Sequence, residues 1–334
     1  MKKGKITGLV LVVALLSLLA LIVACVPAPA TTPAAPPPKP KPVKITILTG
    51  GTAGVYFPLG GALAKIINEY VEGVEAAAVT SGASVTNARK IGEKEAELAL
   101  LQNDIAAYAY NGTEMFKGKP VENIRGIATW YPEIIQFVTL KEFGIKTLGE
   151  LKGKKVGIGA PGSGTAVEAL AILGTAGVTR ENADLRDLDF KEVSYALKDK
   201  TIHAGCIVAG IPTAAVMDVA TVRDVYIVEI PDDIYQDLKA RFPYFIRQSI
   251  PAGTYKGVDK DVKTVAVLAM LATRADMPED VIYKITKAMF EHTDILVATH
   301  KRAKDITLET ALEGMPIPLH PGAEKYYKEV GLIK

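Results

Sequence analysis

The sequence predicts an α/β protein of two lobes, each a mostly parallel sheet flanked by helices, with a cleft between them. Three observations predict it. From Ile45 onward, short apolar runs of strand length alternate with stretches of helical period, the pattern of parallel sheets covered on both faces. The joints between them are rich in Gly, Ser and Thr and lead straight into helix starts. The globular part, beginning near Val43, holds about 290 residues, room for two lobes of ordinary size.

The N-terminal part reads as a targeting segment. Lys2, Lys3 and Lys5 form a basic head, Ile6 to Ala24 is mainly apolar, and Cys25 follows Ala24 directly. Residues 1–24 are therefore expected to be a lipoprotein signal peptide, with Cys25 the lipidated first residue of the mature chain; an uncleaved transmembrane anchor is the other reading. Residues 25–43 form a linker, VPAPATTPAAPPPKPKPV after Cys25. Proline at this density favours an extended polyproline II spacer of ~3.1 Å per residue.

The first strand–loop–helix unit is Ile45 to Val71. Ile45, Ile47 and Leu48 make a short strand, GGTAG a loop, and Leu59, Leu63, Ile66, Ile67 and Tyr70 a helical apolar face, with Pro58 in its first turn. Gly51, Thr52 and Tyr56 fall in the loop, free to meet a ligand, although Tyr56 could also pack beside Pro58. A second unit ends its strand at Thr80-Ser81-Gly82, where Ser84 would cap a helix. In a third, the strand Leu98 to Gln102 leads into Asn103-Asp104. Asp104 could pair with a ligand ammonium or cap its own helix. In a fourth, Gly210 and Pro212 open a helix after a strand.

The densest loop is GIGAPGSGT, Gly157 to Thr165. Gly157, Gly159 and Gly162 spell a G-x-G-x-x-G, and Gly159, Gly164 and Thr165 nearly spell a P-loop. The P-loop needs a lysine after its last glycine, and Thr165 stands there. A dinucleotide motif follows the first strand and has an acid at the end of a second strand about twenty residues on; GVTRENADLRD does not read as that strand. What remains is a helix start, with Thr165 and Glu168 as a T-x-x-E capping box. Its free N–H groups and dipole suit an anion, a small carboxylate rather than a triphosphate; a cap that binds nothing is the plain alternative.

Composition narrows the function. The chain carries a formal charge of +2; without the three lysines of the leader it is close to neutral, so no nucleic-acid partner is expected. Cys206 is the only cysteine besides Cys25, and the four histidines are scattered, so neither a disulfide within the chain nor a metal site is expected. No cofactor is implied. There is no G-x-S-x-G elbow and the glycine-rich loops hold hydroxyls rather than paired acids and bases; Asp104 and Glu133 are the prominent acids near them, thin grounds for an exported enzyme.

Taken together and in order, TGGTAGVYFPLGGALAKIIN, TSGASVTNARKI, LALLQNDIAAYAYNGT, YPEIIQFV, IKTLGELKGKKVGIGAPGSGT and VAGIPTAAV resemble the TAXI family, the extracytoplasmic solute-binding proteins of TRAP transporters. The resemblance runs from about Lys44 to Leu332; a loop glycine common in that family is Ala53 here. It implies the type II fold of periplasmic binding proteins and no catalysis. It also implies a small carboxylate solute, such as glutamate or a dicarboxylate, handed to the membrane subunits of an ion-driven TRAP permease. An ABC importer or a sensor is the other receptor reading. By the same analogy one lobe holds 44–134 and 267–334 and the other 135–266. The chain crosses near Thr129 to Leu140 and returns near Val265 to Thr273. Trp130 and Tyr131 fall at the crossing, either lining the cleft or forming hinge core. The expected ligand contacts are Gly51, Thr52, Tyr56, Ser81, Gln102, Asp104 and Tyr131, facing Gly162, Ser163, Gly164, Thr165 and Gly210.

Overall fold

The computed structural model describes residues 42–334. The expected signal peptide, the lipidation site Cys25 and all but the last residues of the linker lie outside the described residues.

The chain runs β1 (Val43–Leu48), α1 (Tyr56–Tyr70), β2 (Val74–Val79), α2 (Ser84–Gly92), β3 (Leu98–Gln102), α3 (Asn103–Asn111) and β4 (Ile124–Leu140). Then come β5 (Lys155–Gly157), α4 (Gly164–Thr175), β6 (Asp184–Arg186), α5 (Phe190–Lys198), β7 (Ala204–Ala209), α6 (Ala214–Val222), β8 (Val225–Val228), α7 (Asp232–Arg241) and β9 (Ile246–Ile250). The last elements are β10 (Val262–Arg274), α8 (Glu279–Glu291), α9 (Thr293–Thr299) and α10 (Pro321–Glu329).

The strands join in the order β2-β1-β3-β10-β4-β7-β5-β6, with β8 on β4 and β9 on β10. At one end β1 is parallel to β2 and β3; at the other β5 is parallel to β6 and β7. Both ends are parallel sheets flanked by helices, so the fold is the two-lobed α/β class expected from the sequence. The all-buried runs of β3, LALLQ, and β7, AGCIVA, suit strands covered on both faces. On α1, Leu59, Leu63, Ile66 and Ile67 sit fully inside, the face that their spacing predicts.

Two antiparallel strands carry the chain between the lobes. β4 pairs with β10 from Ile124 to Ile134, and with β7 from Ile134 to Thr139. β10 pairs with β9 from Val262 to Ala266, and with β3 from Ala269 to Thr273. Both strands change partner at Ile134 and Ala266, which face each other in the register.

Several local expectations are corrected. Ser163, not Thr165, caps α4: its Oγ accepts from the N–H of Ala166 at 3.1 Å. Glu168 then lies beyond the third helical position and cannot reach back to close a capping box. Ser84 is the first residue of α2, after Ala83. Tyr56 opens α1 instead of lying in the loop. A short strand, β6, does form in the stretch after α4 that had not read as one, and Arg180 holds Asp187 just beyond it in a surface ion pair. The loop position Ala53 has no positive φ; the positive value falls at Ala83, at 63°.

Candidate functional site

The loops after β1, β2, β5 and β6 and the ends of β3 and β7 enclose a cavity of about 120 Å³, comparable to engineered cavities of ~150 Å³ that hold a benzene-sized molecule. One wall comes from Gly50, Gly51, Gly54 to Tyr56, Ser81 to Ser84, Gln102 and Glu133; the other from Ala160, Ser163 to Thr165, Asp189 and Phe190, with Val208 and Ala209 at the base. The walls touch. The Ala215 N–H donates to the Ala53 carbonyl at 3.3 Å, and the Thr86 N–H donates to the Gly162 carbonyl at 3.1 Å.

Of the expected contacts, Gly51, Tyr56, Ser81, Gln102, Ser163, Gly164 and Thr165 line this cavity. Their roles differ. The Ser81 hydroxyl donates to the Thr49 carbonyl at 2.8 Å and accepts from the Ala83 N–H, so it shapes its loop. The Ser163 hydroxyl likewise donates to the Ala160 carbonyl at 2.6 Å while capping α4. The first N–H groups of a helix have no acceptor inside it. With Ser163 serving Ala166, those of Gly164 and Thr165 remain on the cavity wall. Glycine is needed at 164 for close approach: a Cβ there would lie 1.4 Å from Oε1 of Gln102 in the facing wall.

The other expected contacts lie elsewhere. Thr52 is exposed beside the cavity. Gly162, with φ 79°, meets Thr86 across the gap instead of lining the wall. Gly210 packs against the side chains of Arg302 and Tyr131. Tyr131 is buried at the crossing, its hydroxyl without a partner among the described residues. Asp104 is buried outside the lining and does not cap α3; its Oδ1 accepts only from the neighbouring Ile105 N–H.

Sequence reasoning named Glu133 among the prominent acids but did not place it among the ligand contacts. Tyr56 donates through its hydroxyl to Oε2 of Glu133 at 3.0 Å. Burial pushes Glu133 up to about 8, against the pull of the Tyr56 and Gln102 hydrogen bonds. Burial, then Glu133 itself, pushes Tyr56 far above its ordinary value. The signal was one acid inside the long apolar run of β4. Asp189 and Phe190 were also missed; the D-x-x-E box that Asp189 forms with Glu192 marks that helix start. Among the described residues of the lining there is no Lys, Arg or His.

A profile of the NMT1-like family matches residues 47–331. The chain belongs to the NMT1-like family. Among solved structures, this NMT1-like chain resembles a protein from Bordetella bronchiseptica at 16% identity and a TM-score of 0.53, covering 87% of this chain and 90% of that one. It also matches PhnD1 from Prochlorococcus marinus in complex with methylphosphonate, at 13% identity and a TM-score of 0.49, over 88% and 99% of the two chains. At these identities the Bordetella likeness bears on fold alone; it covers both lobes of the NMT1-like chain.

Proposed function

We propose that the protein is an extracytoplasmic solute-binding receptor of the TAXI type, which captures a small carboxylate, glutamate-like or a dicarboxylate, and delivers it to a TRAP permease. The observation that carries this reading is the cavity walled from both lobes, with the open N–H groups of α4 on one side and Tyr56, Gln102 and Glu133 on the other. A helix start holds a carboxylate through N–H donors and its dipole, without a cationic side chain. Glu133, held by Tyr56 on the wall away from α4, suits a hydroxyl or ammonium at the other end of the solute. The change of partner at Ile134 and Ala266 supports a hinge there, with lobes of 44–134 plus 267–334 and of 135–266. The basic head, apolar run and Cys25 support lipid anchoring outside the cytoplasmic membrane. The N–H donors and hydrogen-bonded side chains supply binding groups, and we assign no catalytic step to them.

Calorimetry with L-glutamate, 2-oxoglutarate and succinate tests the site. Hydrogen bonds to a charged group contribute ~1.5–3 kcal/mol each, so Gly164→Val, which blocks backbone approach and strikes Gln102, should weaken binding more than tenfold. Equal binding by Gly164→Val would remove α4 from the site. Failure of all three acids to bind the parent would remove the small-carboxylate reading.

A further inference from the structure

Glu168 is a buried acid that the binding chemistry does not use. It stands on α4 and is 1% exposed; Asp104 stands on α3, across the cleft, and is 3% exposed. Neither lines the cavity. Their carboxyls lie within hydrogen-bonding reach of each other. Gln102 donates through Nε2 to Oε2 of Glu168 at 3.2 Å, and Ile105 N–H donates to Oδ1 of Asp104 at 2.8 Å. Oε1 of Glu168 has no partner among the described residues.

The groups facing this pair are acidic or neutral. They are Glu133 on β4, Tyr108 on α3, Cys206 on β7 and Tyr244 before β9. None is a lysine, arginine or histidine, and among the described residues no cluster is arranged to hold a metal ion. Two carboxylates side by side in a dry interior cannot both stay charged. A proton on Oε1 of Glu168 resolves the conflict: it gives that oxygen a hydrogen to donate to the Asp104 carboxylate, while Oε2 still accepts from Gln102. Gln102 is then held with its Oε1 against Gly164 at the start of α4.

We propose that Glu168 and Asp104 share one proton across the closed cleft, so that closure over a solute takes a proton from the solvent. This rests on the receptor reading, since the two acids come from elements on opposite sides of the cleft and meet only when it is shut. Burial acts in the same sense on both: it raises Asp104 to about 6, and together with the Asp104 charge it lifts Glu168 well above its ordinary range. With the lobes apart, both acids return to the ordinary carboxylate range near 4. Above the Asp104 value and below that of Glu168 the pair holds one more proton in the closed form than in the open form, so its contribution lowers solute affinity up to tenfold per pH unit as pH rises.

A cross-link makes the test independent of the solute. A Cβ at Gly162 would lie 3.8 Å from Cβ of Thr86, a separation that a disulfide spans. Thr86→Cys with Gly162→Cys, oxidised, locks the cleft shut. Infrared spectra are then recorded in a Glu133→Gln background, so that Glu133 adds no proton of its own. The locked protein should show the carbonyl stretch of a protonated carboxyl at pH 7. Glu168→Gln should abolish it, and Asp104→Asn should move its titration to lower pH. No such band in the locked protein, or a band that neither substitution alters, overturns the shared proton while leaving closure intact.

Discussion

The backbone N–H of Thr86 on α2 donates to the carbonyl of Gly162 at 3.1 Å, fastening one lobe to the other beside the cavity. The fit around Thr86 is close: a Cβ at Gly162 would lie 2.5 Å from its Oγ1. Gly162 thus meets Thr86 across the gap rather than lining the cavity.

Gly162→Ala should therefore oppose the shut state. Its methyl group meets Thr86 only when the lobes touch. Binding of whichever acid the parent prefers should weaken roughly tenfold. In small-angle scattering the variant should stay at its open dimensions at concentrations that compact the parent. If it compacts and binds as the parent does, the Thr86 contact is incidental.

Ala83 lines the cavity with φ 63° and ψ −150°, a region essentially reserved for glycine, where a side chain costs about 1–3 kcal/mol. Ala83→Gly should raise stability by about 1 kcal/mol after the extra freedom of the unfolded glycine is counted. Denaturant unfolding reads this directly; a variant less stable than the parent would show that the Ala83 backbone is relaxed.

Stability should fall as pH rises from the ordinary carboxylate range near 4 toward 8. Asp104 and Glu133 are raised to about 6 and about 8 in the fold. The folded chain then keeps protons that the unfolded chain releases, and their stabilisation is lost as pH climbs through those values. Glu133→Gln should flatten the part of the profile above pH 6. Surface acids such as Asp218, held low by the hydrogen bond from Lys198, act in the opposite sense below pH 4. A profile flat from pH 5 to 8 would mean that the buried acids are ionised in the folded protein.

Mass spectrometry of the protein from its native membrane should find residues 1–24 absent and a diacyl or triacyl mass on Cys25. An intact Met1 in membrane-bound material would replace the lipid anchor with an uncleaved span.

The class of fold was legible because apolar runs and helical periods alternate within short windows, as in LALLQ and the face of α1. The glycine-rich loops at strand ends were legible for the same local reason. The place of Glu133 at the site was not, because its partner Tyr56 is 77 positions away, and only the path of β4 between lobes joins them. Glu168 was misread as a cap partner since a spacing of three resembles a box when the cap is placed two residues late. β6 was missed because only three residues of a polar stretch form it; its pairing with β5, rather than its own pattern, makes it a strand.

The place of β10 also sets an order of assembly during synthesis. It is inserted between β3 and β4, yet more than a hundred and fifty positions separate it from β3 (~159 along the chain, a long loop to close). Until Val262–Arg274 has emerged, the apolar edge of β3 has no partner on that side. The sheet of β5, β6 and β7 is by then complete. The later-made lobe can thus form first, and a nascent chain halted before β10 carries an open apolar strand edge, the kind of surface that chaperones shield and that aggregates when they do not.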